Sequence, residues 1–342
     1  MNLTPIQQML VMLSNPNKTM GGPYAPRVAL LGGRPTVDVD VPVCAVFLAL
    51  FLSFGISHMV IFRRNLARGH KFIPSAVTFG FCMSRVVANI MRIAWACRPN
   101  NVRIAIAAQI FVAAGILLLF ILNLLYSQRM LRAALPRLGW SRAVSYAFKV
   151  FYVLVVLTII MVITCVVQSQ YTLNANTLRI DRDIQLYGVT YFAIVSFLPI
   201  PITLLVLLFS HGQDIEHPGS GKWSTKAVIV LSAAVLLCLG SSFRAGTSWM
   251  PPHLATNPPW YDHKACFYVF NFGIDISVVA LFLIARVDRR FWVPNGSSAV
   301  RHYRGSEDEP KGAQFGQGAG NHDLEGSDGA LSGYPAPVKI EA

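Results

Sequence analysis

Charge is what this chain has least of. Only 13% of its 342 residues are Asp, Glu, Lys or Arg, against 54% hydrophobic, too little charge to solvate an ordinary soluble domain. Acidic residues are scarcest, with 16 Asp and Glu against 29 Lys and Arg. The formal charge of +13 would draw a soluble protein to nucleic acid. Here the cations lie in loops beside apolar runs, where they report orientation, so no nucleic-acid partner is expected. The six cysteines follow no zinc spacing and form no disulfide framework. Cys44, Cys82 and Cys238 read as small apolar residues, while geometry permits one disulfide among Cys97, Cys165 and Cys266. His58, His211, His217, His253 and His263 do not recur at ligand spacing. A phosphate-cradling loop, a G-x-S-x-G turn and a Cys/His pair are missing too, so neither a metal, a cofactor nor an enzyme is expected. A cleavable leader is not expected either, because the start is not basic and the apolar run Met9–Leu13 is too short.

What is abundant is long apolar sequence. A membrane-crossing helix needs about 20 mostly apolar residues for a hydrocarbon core of about 30 Å. Seven runs qualify: Val41–Phe62, Phe72–Cys97, Ile104–Tyr126, Ser145–Val167, Leu186–Phe209, Thr225–Arg244 and Ala265–Ala285. The expected fold is all-α, a polytopic bundle of seven transmembrane helices, since helices satisfy their backbone groups without water. The domain limits expected are an N-terminal tail over 1–40, the membrane domain over 41–293, and a disordered tail over 294–342 rich in Gly, Ser and acidic residues.

Orientation follows from the loops. Arg63, Arg64, Arg68 and Lys71 follow the first run, and Arg129, Arg132, Arg137 and Arg142 follow the third. Lys222 and Lys226 follow the fifth, and Arg286, Arg289 and Arg290 follow the seventh. The alternate loops hold only Arg98 and Arg103, Arg179 and Arg182, and Lys264. Basic loops face the cytoplasm, so the N-terminus is expected outside and the C-terminus inside, with the plasma membrane the expected location. The six Trp residues stand at run ends or in loops, as interfacial rings do, and Asn17-Lys18-Thr19 is a glycosylation sequon on the expected outer side.

Two segments carry unusual proline. Pro199-Ile200-Pro201 near the middle of the fifth run reads either as a hinge lining a cavity or as a tolerated kink. The loop Thr247–Lys264, with Trp249, Pro251, Pro252, Pro258, Pro259, Trp260 and Tyr261, reads either as a lid or as an interfacial anchor.

The charges inside the runs are the candidate site. Asp275 is the only acid within any of the seven runs and falls at the centre of the last. A charge there costs about 2.5–3.5 kcal/mol on insertion scales. Arg85, Asn89 and Arg92 in the second run share one stripe at about 100° per residue. Depth matching pairs Arg85 with Asp275 and sets Arg92, Arg244, Gln109 and Asn271 toward the outer side. One carboxylate cannot neutralise three guanidiniums. The alternatives are a cavity that admits an anionic group or water, a purely structural Arg85–Asp275 pair with Arg92 and Arg244 reaching the interface, and a proton or ion relay.

Gly80-Phe81 with Arg85, Phe243-Arg244, and Phe267-Tyr268-Val269-Phe270 resemble the corresponding stretches of fungal RTA-like proteins, described as lipid-translocating exporters. Val77 stands where that family has an acid, and Asn271 where it has Asp. The segment Arg286–Pro294 looks closer to a sister group, fungal seven-span proteins of unknown function. The resemblance implies a membrane protein that translocates or responds to lipids or amphiphilic ligands. The alternative is a receptor similar to the fungal Pth-type class, with the loop Gln128–Arg142 and the tail engaging cytoplasmic partners.

Overall fold

The structure is a computed structural model, and it describes residues 22–24, 28–209, 216 and 218–294. Seven helices are long and apolar enough to cross a membrane. They are α1 (Val37–Ala67), α2 (Ile73–Cys97), α3 (Val102–Ala134, interrupted at Ile116), α4 (Arg142–Tyr171), α5 (Ala175–Phe209, interrupted at Leu198), α6 (Trp223–Trp249) and α7 (Lys264–Ile284). A short helix α8 (Val287–Arg290) follows. Among the described residues there is no strand, only an isolated bridge between Val28 and Leu254. Asn17 and the tail beyond 294 lie outside the described residues.

Helices α3, α4 and α5 start where side chains cap them. Asn101 accepts from the Arg103 and Ile104 amides, Ser141 from Val144, and Asn174 from Asn176 and Thr177, which satisfies donors that no helix can satisfy itself. The helices pack in sequence order as a ring, α7 returning to α1, with α3 also against α5 and α6. Half of the central window of α6 and of α7 is buried, against 22% for α1 and for α4. The exposed side of α4 is apolar, with Val153, Leu157 and Ile160 more than half exposed, a surface suited to hydrocarbon.

Two boundaries differ from the hydropathy reading, and both matter. The first helix begins at Val37, ahead of the apolar run, and carries Asp40 into the interior at 0% exposure. The fifth begins at Ala175, so Arg179 and Arg182 stand on a helix rather than in a loop. In both cases the hydrogen-bonded backbone starts before the side chains turn apolar. The six cysteines are all free, so the disulfide permitted among Cys97, Cys165 and Cys266 is not formed.

The ends of the bundle differ in character. At the Asp288 end, Phe291 is fully buried against Tyr126, with ring centroids 4.8 Å apart. There Asn65 donates to Asp288 at 3.1 Å, and Arg129 donates to the Phe291 carbonyl. Arg286 sits in the left-handed region at φ 49° to turn the chain back under the bundle. At the Asp40 end, residues 28–33 lie beside the α6–α7 loop. The Ala29 amide donates to the His253 carbonyl at 2.8 Å and the Gly32 amide to the Asp262 carbonyl at 2.9 Å.

Candidate ligand cavity at the Asp40 end of the bundle

The central charge pair expected from depth matching is formed. Arg85 Nε lies 2.7 Å from Asp275 Oδ2, both side chains fully buried. Arg85 Nη1 donates to the Val112 carbonyl at 2.7 Å, and its guanidinium sits 5.4 Å from the Phe81 ring centroid and 5.6 Å from that of Phe272. Gly115 makes room for it, because a Cβ there would meet the guanidinium carbon at 3.1 Å and Ser84 Oγ at 2.8 Å. Asn89 is fully buried and donates back to the Arg85 carbonyl at 2.8 Å, leaving its Oδ1 unpartnered.

Arg92 belongs to a second buried network that the sequence did not disclose. Asp40 Oδ1 accepts from Arg92 Nε at 3.0 Å, from Arg92 Nη2 at 2.8 Å and from Tyr268 Oη at 2.6 Å. Its Oδ2 accepts from the Thr36 amide at 2.8 Å and from Lys264 Nζ at 2.5 Å. Arg92 also donates to the Gly32 carbonyl at 3.0 Å and lies 4.0 Å from the Phe267 ring centroid. Gly32 holds φ 79°, and a Cβ there would meet Phe267 at 2.5 Å, so only glycine lets the N-terminal segment settle on Arg92. Arg92, at 4% exposure, therefore neither reaches the interface nor awaits an external anion.

Arg244 is the third arginine, and its situation differs. Helix α7 contains a π-helical stretch, Tyr268–Gly273, a deviation that often marks functional sites. Arg244 Nη1 donates to the Phe270 carbonyl at 3.2 Å and to Asn271 Oδ1 at 3.3 Å within that stretch. Asn271 is steadied by donating to the Phe267 carbonyl at 2.9 Å. No carboxylate lies within ion-pair distance of Arg244 among the described residues.

Arg244 faces a cavity of about 430 Å³. Four of the seven side chains expected at a site, Arg92, Gln109, Arg244 and Asn271, line it, whereas Arg85, Asn89 and Asp275 stand apart from it. Gln109 Nε2 is buried there without a partner. Trp95, Val112, Ile116, Val162 and Leu186 form apolar wall. Arg182, Gln185, His253 and Asp262 also line it and were missed, Arg182 because its helix starts early and Asp262 because a loop carries no periodicity.

The roof is the proline-rich loop. Met250, Pro251, Pro252, His253 and Tyr261 line the cavity, while Trp249 and Trp260 point away at 61% and 79% exposure. Arg182 ties this roof to α5 by donating to the Met250 carbonyl at 3.1 Å. The loop thus covers the cavity, as the lid reading has it. Pro199 and Pro201 interrupt α5 at Leu198 and do not line this cavity. Among the described residues, no group of His, Cys, Asp and Glu is placed to hold a metal.

Seven membrane-length helices around a polar interior define a polytopic membrane protein. Residues 213–292, which hold α6, α7 and α8, match a family described as a protein of unknown function (DUF3112). Neither a curated protein nor a solved structure matches the chain.

Proposed function

We propose that this protein binds an amphiphile bearing an anionic group, a membrane lipid or a lipid-like compound, in the cavity and moves it across the membrane. The observation that carries this reading is Arg244, a cation facing the cavity with no carboxylate in contact and no hydrogen bond from its Nε or Nη2 among the described residues. An arginine in an apolar bundle needs an anion or water to offset its desolvation. The apolar walls supply the complement for a hydrocarbon chain. The earlier resemblance to lipid-translocating exporters agrees with this chemistry. The basic loops favour an Asp40 end facing outward, with the plasma membrane as location.

The test is movement of headgroup-labelled phosphatidylserine and phosphatidylglycerol across liposomes holding the purified protein. Wild type is expected to move them, and a folded Arg244→Gln variant to lose about tenfold or more of that rate, the scale of one charged hydrogen bond. Binding without movement would favour the receptor reading, which requires ligand-dependent change at the Gln128–Arg142 loop. Neither binding nor movement by folded protein would end the proposal.

A further inference from the structure

We infer that the ligand is a zwitterion, with its anionic group at Arg244 and an amine or quaternary ammonium of the same molecule at Asp262. This rests on the reading of the cavity as a ligand site and names the ligand class. Two opposite charges line one cavity, and neither is paired with a protein ion among the described residues.

Asp262 closes the short helix Trp260–Asp262 in the roof. Its backbone is committed, the amide donating to the Pro259 carbonyl at 3.1 Å and the carbonyl accepting from Gly32 at 2.9 Å. Among the described residues its half-buried carboxylate is in no salt bridge. Burial raises this carboxyl above its ordinary range, opposed by His253, so a cation brought by the ligand would supply the solvation it lacks. Tyr261 lies beside it on the cavity wall, with the His253 ring 6.4 Å from that of Tyr261. A carboxylate beside aromatic faces is a setting that suits a quaternary ammonium.

A purely anionic ligand explains Arg244 but leaves Asp262 as a repulsive charge on the cavity wall. A purely cationic ligand explains Asp262 but meets Arg244, Arg182 and Arg92. A zwitterion satisfies both, and the repulsion then disfavours, without excluding, ligands carrying one charge alone. The same chemistry is found in a zwitterionic lipid headgroup and in a small soluble zwitterion.

The experiment measures binding by the full chain, in uncharged detergent, of three probes. These are dihexanoylphosphatidylcholine, dihexanoylphosphatidylglycerol, and glycerophosphocholine, which has the headgroup but no chains. Wild type is expected to prefer phosphatidylcholine over phosphatidylglycerol about tenfold. Asp262→Asn should abolish that preference, with Asp262→Ser as the second neutral variant should the first not fold. Asp262→Glu should retain most of it, and Arg244→Gln should weaken both lipids. Glycerophosphocholine binding as well as the lipid would identify a soluble zwitterion, and its failure to bind would identify a lipid; either supports the inference. Equal or tighter binding of phosphatidylglycerol, or a preference that survives the neutral variants, overturns it while an Arg244-dependent anion site stands. Binding of no probe removes both readings.

Discussion

Removing the Asp40 carboxylate has a large expected structural effect. It accepts two hydrogen bonds from Arg92, one from Tyr268 and one from the Thr36 amide, and pairs with Lys264. Asp40→Leu strands these donors unequally. Lys264, 23% exposed, can reach water, whereas Arg92 at 4% cannot, and Tyr268 is buried beside it. Leaving a buried partner charge uncompensated costs about 3–5 kcal/mol. For 342 residues, at an unfolding entropy of about 2.1 cal/mol/K per residue, that corresponds to a fall of about 4–7 °C in apparent Tm. Combining Asp40→Leu with Arg92→Met replaces the pair with apolar groups of similar reach, and this double variant should recover most of the loss. Thermal unfolding of the two single variants and the double variant in one detergent gives the coupling directly. Strictly additive losses, or a single-variant loss below about 1 kcal/mol, would show that Asp40 does not lock α1, α2 and α7 together.

Two further outcomes follow from the ends of the bundle. Burial opposes ionisation of Asp288, but hydrogen bonds from Arg286 and Asn65 outweigh it and hold the carboxyl below its ordinary range. A depressed carboxyl stabilises the fold above the unfolded pKa, about 3.9, and loses that contribution as pH falls through the folded value. The Tm difference between wild type and Asp288→Asn should therefore be steady above about pH 5 and close in stronger acid; a gap that persists there refutes the assignment. Cys97 is exposed at the Asp40 end, so an impermeant maleimide should label it in intact cells, with labelling lost in Cys97→Ser. Labelling only after permeabilisation would reverse the proposed orientation.

The number and type of helices were legible because the signal is local: an apolar run of span length has few alternatives. The Arg85–Asp275 pair was legible for a related reason, since each charge sits mid-run and depth is a count of residues. Asp40 was hidden by the same method. Hydropathy places a boundary where side chains turn apolar, yet α1 begins at Val37 with a turn whose polar side chain faces inward. Arg182 was hidden in the same way by the early start of α5 at Ala175. The contact between residues 28–33 and the α6–α7 loop joins segments more than two hundred residues apart, and neither has a period to read. The π-helical stretch of α7 is set by packing and leaves no mark in composition.

The charge count shows how a missed residue changes the conclusion. Three arginines against one carboxylate implied an external anion at Arg92 or Arg244. Asp40 adds a second carboxylate, but it also draws in Lys264, so four cations face two acids and the excess stands at two. What changes is its location. Arg85 and Arg92 each have a carboxylate in contact, and Lys264 is partly exposed. That leaves Arg244 on the cavity wall with no carboxylate in contact among the described residues, Asp275 acting on it only from beyond ion-pair distance. Arg92→Ala would therefore report on folding, because it breaks the Asp40 network. Arg244→Gln reports on the ligand, because it removes a charge that no carboxylate among the described residues contacts while keeping a donor for the Phe270 carbonyl.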